Sequence, residues 1–159
     1  MSDFKLYDQS VTAPLAAHHR FGIVAARFNQ EIVDALLSGA IAALQKSGAK
    51  QEQIMVVRVP GAFEIPLTCQ KLAAMGKVDA LIALGCVIRG DTPHFDYICS
   101  ESARGLMDVG LKFDLTVING ILTVNTIEQA KVRAQIGGDN KGFDAAYGAI
   151  EMLALFSAL

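Results

Sequence analysis

Apolar residues recur along this chain at two alternating periods. Short β-branched runs, FGIVAA over 21–26, IMVVRV over 54–59, DALIALG over 79–85 and LTVING over 115–120, read as strands. Longer stretches at helical spacing separate them. In IVDALLSGAIAALQKSG, residues 32–48, one face collects Ile32, Leu36, Leu37, Ala40, Ile41 and Leu44, and Gly48 supplies the stop. Further helices are predicted from the turn at Pro60-Gly61 to about Met75, then over 95–112, 126–136 and 141–159, the last with Asn140 as N-cap. Pro66 fits its helix only in the first turn. The third strand is apolar on both faces, as a central parallel strand is. This alternation predicts an α/β fold, a three-layer αβα sandwich around a central four-stranded, mainly parallel sheet. Residues 1–20 lack a sustained period and include Pro14 and His18-His19, read as solvated. They are taken as an N-terminal arm, and 21–159 as a single domain.

Composition narrows the function. A chain of 159 residues has room for one core. A formal charge of −2 gives no basic field for nucleic acid. The opening MSDFKLYDQ has no secretory pattern, and no apolar run approaches the roughly 18 residues that span a bilayer, so the chain reads as cytoplasmic. Cys69, Cys86 and Cys99 lack metal or disulfide spacing and read as small buried hydrophobes; no metal site is expected. Mean hydropathy of +0.37 with 52% hydrophobic residues is high for a small monomer, which points to self-association.

Ligands of such sheets sit outside the carboxyl ends of the strands. There each strand delivers a polar or glycine-containing cluster: Arg27-Phe28-Asn29, then PGAFE over 60–64, then GDTPH over 90–94, then Asn119-Gly120. Singly, each has a plain structural reading, for instance Glu64 as an acid at a helix start and Gly90-Asp91-Thr92 as a turn. Together on one edge they favour a site. Neither a Walker loop, a G-x-G-x-x-G fingerprint nor a G-x-S-x-G elbow is present.

The segments VPGAFEIP (59–66), ALGCVIRGDTPHFDYI (83–98), GILTVNTIEQAKVRA (120–134) and NKGFD (140–144) together resemble lumazine synthases. The resemblance holds in register from about Phe21 to Leu155. It implies a flavodoxin-like sandwich and a transferase of riboflavin biosynthesis. The implied reaction condenses 5-amino-6-(D-ribitylamino)uracil with 3,4-dihydroxy-2-butanone 4-phosphate to 6,7-dimethyl-8-ribityllumazine, phosphate and water, with no cofactor. It also implies a site between neighbouring subunits of a pentamer. The short glycine-containing segment between Arg133 and Lys141 resembles members that close icosahedral dodecamers of pentamers. The arm suits addition of a strand to a neighbour's sheet.

Roles carry over by position. Phe28 is expected to stack on the pyrimidine; Ala62 and Phe63 to hold the uracil through backbone groups; Glu64 to accept from ribityl hydroxyls; Val87 and Ile88 to contact the heterocycle. Asp91 and Thr92 align with a phosphate loop, although an acid there is awkward beside an anion, so the Asp91 carboxylate is expected to point away. Arg133 matches a phosphate-binding arginine supplied by the adjacent subunit. Lys141 and Asp144 match a pair near the reacting centre. Asn119 departs from the family, where a phenylalanine commonly packs on the neighbour's substrate. His94 is the expected catalytic residue, because imine formation, phosphate elimination and ring closure all move protons near neutral pH. Phe95 and Tyr97 are assigned to helix packing. The rivals are a non-catalytic flavin- or lumazine-binding relative and a flavodoxin-like electron-transfer domain. RFNQEI lacks the phosphate loop the latter needs.

Overall fold

Every residue of β1 (Phe21–Ala26) is buried, because strands flank it on both edges and helices cover both its faces. In the computed structural model, which describes residues 5–8 and 15–159, β1 pairs in parallel with β2 (Ile54–Val59) and β3 (Ala80–Ile88). β4 (Thr116–Val124) continues the sheet from β3, again in parallel, giving the order β2-β1-β3-β4. Alternate residues of β1 feed opposite cores. Phe21, Ile23 and Ala25 pack with α1 (Gln30–Lys46) and α5 (Lys141–Ala158); Val24 and Ala26 pack with α2 (Ile65–Met75) and α3 (His94–Phe113). The result is the three-layer αβα sandwich that the alternation predicts. The order in which successive strands are added reverses between β1 and β3, β2 lying to one side and β3 and β4 to the other, so the crevice outside the carboxyl ends of β1 and β3 is a topological switch point.

The strand ends differ from the periodicity. β3 runs to Ile88 and β4 to Val124, the two staying paired to their last residues, beyond the ends expected at residues 85 and 120. Asn119, Gly120 and Thr123 belong to β4 because the backbone groups of β3 still await them. The helix expected over 126–136 is only α4 (Ile127–Val132), capped by the Thr126 hydroxyl. Beyond it Ala134 bridges Asn140, with Gly137 in the left-handed region turning the chain. This tight return seats Asn140 as a buried N-cap: its Oδ1 accepts from Phe143 N–H at 3.0 Å and its Nδ2 donates to Ala35 O of α1 at 3.0 Å. Two residues on, Gly142 lets α5 press onto the Leu36 carbonyl.

Residues 1–4 and 9–14, including Pro14, lie outside the described residues. The last part of the expected arm packs on the body. Ala16 is fully buried, and the Gln53 amide donates to the carbonyls of Ala16, Ala17 and His19. His19 is half-buried, edge-on to Phe21, rather than solvated. Cys69 and Cys86 are buried and Cys99 is half-buried. Among the described residues no helix is long and apolar enough to cross a membrane.

Candidate active site

The carboxyl ends of β1, β2 and β3 and the start of α3 enclose a cavity of about 700 Å³. Its position follows from local hydrogen bonding. Arg27 N–H donates to Val59 O at 2.7 Å and Phe28 N–H to Pro60 O at 3.0 Å, so the ends of β1 and β2 stay zipped as the strands stop. Asn29 then adopts a left-handed conformation, which asparagine tolerates better than most residues, and its Nδ2 donates to Cys86 O of β3 at 2.8 Å. Held between these bonds, the Phe28 ring is 73% exposed on the cavity wall. A large aromatic left uncovered beside a concavity suits a flat heterocycle.

Across from it, a single turn of 3₁₀-helix, Ala62–Glu64, presents Phe63 and Glu64. One Glu64 oxygen accepts from Gly61 N–H at 3.1 Å, which closes the turn and leaves the rest of the carboxylate to accept from a ligand. Val87 and Ile88 form the apolar floor with Cys86, whose thiol is pushed up to about 11 by burial and so stays neutral. Gly90 and Thr92 lead into α3, a helix of 20 residues whose first-turn N–H groups suit an anion. His94 is exposed on the same wall, its backbone N–H 3.5 Å from Thr92 Oγ1.

Eight of the expected site residues therefore line one cavity: Phe28, Ala62, Phe63, Glu64, Val87, Ile88, Thr92 and His94. Four do not. Asp91 is exposed and off the wall although both its chain neighbours, Gly90 and Thr92, are on it. Asn119 stands in mid-strand opposite Ala83, with its Oδ1 accepting from Ile121 N–H at 3.0 Å. This corrects the expectation that Asn119-Gly120 ends the fourth strand at the common edge; the ladder continues to Val124, and the amide instead occupies an open backbone donor of an edge strand. Arg133 and Lys141 lie side by side on the surface, joined by Lys141 N–H to Arg133 O at 2.8 Å. Arg133 Nη1 donates to Gln129 O at 2.9 Å. The hydrogen bond to Asp144, then the charges of Asp139 and Asp144, make Lys141 hold its proton more tightly than usual.

Phe95, Tyr97 and Ile98 also line the cavity, which corrects the assignment of Phe95 and Tyr97 to helix packing alone. The signal was available in the sequence: His94, Tyr97 and Ile98 stand at i, i+3 and i+4 on one helix face. Among the described residues on the wall, Glu64 and His94 are the acid and base, and neither lysine nor arginine is present. An apolar cleft with a helix start and no cation is incomplete for a phosphorylated ligand.

Residues 18–157 match the family model described as 6,7-dimethyl-8-ribityllumazine synthase. A protein of Desulfatibacillum aliphaticivorans named 6,7-dimethyl-8-ribityllumazine synthase is 58% identical over 136 residues, which cover 86% of this chain and 88% of its own.

Proposed function

The chain belongs to the 6,7-dimethyl-8-ribityllumazine synthase family, and from that premise we propose that the cavity at the carboxyl edge of the sheet is its active site, with His94 as the proton carrier. The reaction condenses 5-amino-6-(D-ribitylamino)uracil with 3,4-dihydroxy-2-butanone 4-phosphate, giving 6,7-dimethyl-8-ribityllumazine, phosphate and water. One observation carries the site: residues from four separate segments, Phe28, Phe63-Glu64, Val87-Ile88 and Thr92-His94, line a single cleft at the switch point of the sheet.

The uracil stacks on Phe28, with backbone groups of Ala62 and Phe63 at its edge and its ribityl hydroxyls donating to Glu64. The butanone phosphate lies with its anion at the Thr92 turn and the start of α3. Its reacting carbons then fall beside His94, two residues further along. The 5-amino nitrogen attacks the ketone and water leaves as the imine forms. Removal of a proton from the neighbouring carbon lets phosphate depart. The resulting enol becomes a ketone, and the ribityl-bearing nitrogen attacks it, closing the ring with loss of a second water. His94 accepts and returns protons in these steps, a role for which imidazole is the side chain best suited near neutral pH. Both reactants are reactive without help, so holding them together contributes the larger share of the acceleration.

The missing cation comes from a second copy. Arg133 and Lys141, brought together by the tight return after α4, serve the cavity of the adjacent subunit, and Asn119 of the edge strand faces it where a stacking aromatic is usual. Exposed apolar residues on α2 and α3, among them Leu67, Met107 and Leu111, support self-association, and we read the assembly as a pentamer, with dodecamers of pentamers favoured by the short 134–140 return. The N-terminal arm extends this association by adding a strand to a neighbour's sheet. Mixing the two substrates with the purified protein and following lumazine absorbance tests the site through variants. Loss of turnover in Phe28→Ala, Glu64→Ala and His94→Ala together supports the cavity, and full rates in all three refute it.

A further inference from the structure

Arg89 stands between Ile88 and Gly90, which both line the cavity, yet it is absent from the wall itself. Its guanidinium turns back onto the protein. Nε donates to Asn125 Oδ1 at 2.9 Å, just beyond β4; Nη1 lies 3.4 Å from Asp96 Oδ1 in the first turn of α3; and the group sits over the Phe95 ring, 4.4 Å from its centroid. The contact with Asp96 is the weakest of the three, since both side chains are about half exposed and water screens them. The stack is better sheltered, because Phe95 is buried and lines the cavity next to His94. Asn125 is itself fixed, its N–H donating to Gln129 Oε1 at 2.7 Å, and Arg89 N–H donates to Val124 O at 2.9 Å.

One side chain thus joins the ends of two paired strands to the start of α3. Among the described residues no hydrogen bond holds the His94 imidazole, so its place depends on where the helix begins. We propose that Arg89 is a positioning residue: stacked on Phe95 and anchored by Asn125, it sets the first turn of α3 and through it His94 and the Thr92 turn. This rests on the reading of that cavity as the active site. A lysine could keep the charge but could not stack flat and donate along its edge at once.

Steady-state kinetics of Arg89→Met, Arg89→Lys, Asn125→Ala and the double variant Arg89→Met/Asn125→Ala test this, each checked for folding by its melting temperature. A displacement of the turn by a fraction of an ångström is expected to lower kcat about tenfold, with KM for the uracil unchanged. Arg89→Lys should remain nearly as slow as Arg89→Met, and the double variant should be little slower than Arg89→Met alone, because both changes cut one anchor. Near-normal kcat in Arg89→Lys, or strictly additive losses in the double variant, would show that charge at Arg89 acts by itself and would overturn the positioning role. If Arg89→Met does not fold, Arg89→Lys and Asn125→Ala carry the test, and normal kcat in both overturns it. His94→Ala measured alongside separates the two readings. A normal rate there sinks the active-site reading, whereas a slow His94→Ala with normal Arg89 and Asn125 variants sinks only this one.

Discussion

At the scale of single residues, the account makes His94 useful but not indispensable. His94→Ala is expected to lower kcat by roughly 100-fold and to leave measurable turnover, since approximation of the substrates survives the change; an unchanged kcat in steady-state assays removes His94 from the mechanism. Arg133→Ala should raise KM for the butanone phosphate well above any change in KM for the uracil, and equal effects on the two would count against a phosphate role. The buried thiols give a pH prediction of definite sign. Burial pushes Cys69 up to about 12, so the folded chain keeps a proton that the unfolded chain releases above 9.0. The stability this contributes is complete below pH 9.0 and declines between there and about 12. Cys69→Ala should therefore flatten the loss of stability with alkaline pH, by up to ~1.4 kcal/mol per pH unit, in urea titrations run from neutral to alkaline pH. Parallel slopes in the two proteins would exclude ionisation of this thiol as a cause. Residue identities at the strand ends were legible in the sequence. Their partners were not, because the bonds from Asn29 to Cys86 and from Arg89 to Asn125 cross between segments that only the fold brings together.

At the scale of elements, period and punctuation located all four strands and the five long or short helices, and errors fell at ends. Strand length is set by where the partner's ladder stops, and so β4 runs on through the turn-like Asn119-Gly120 pair to Val124, in register with β3. That displacement is why Asn119 looked like a strand-end residue. α4 ended early for a similar reason: Ala134 found a bridge partner in Asn140, which competes with another helical turn. The α1–α5 contact depends on this return. Asn140→Ala removes a cap for Phe143 N–H and strands the Ala35 and Phe143 groups in a buried setting, an expected loss of about 2 kcal/mol in chemical denaturation. Gly142→Ala is expected to lower the melting temperature as well, because a methyl group there meets the Leu36 carbonyl, backbone that cannot swing aside. Wild-type melting in both variants would show that α5 docks by other contacts.

At the scale of the whole molecule, the composition was already telling: a hydrophobic share of 52% exceeds what this core hides, and Leu111, at 76% exposed, and Met107 one turn before it form an apolar stripe on α3. Leu111→Asp should reduce the mass seen by light scattering and lower activity although the residue is outside the cavity, since a site shared between copies fails when the copies part. Retained assembly with normal activity would place the interface elsewhere. The central claim is that each site joins His94 of one subunit to Arg133 of the next, and subunit mixing tests it most directly. His94→Ala and Arg133→Ala proteins are unfolded together, reassembled in equal amounts and assayed for lumazine formation beside each protein reassembled alone. Random assembly pairs an intact His94 with an intact neighbouring Arg133 in about one quarter of sites, so the mixture should recover up to about a quarter of wild-type activity. A mixture no more active than the average of the two separate variants would mean that both residues act within one chain, or that one of them does not act at all, and would contradict the account.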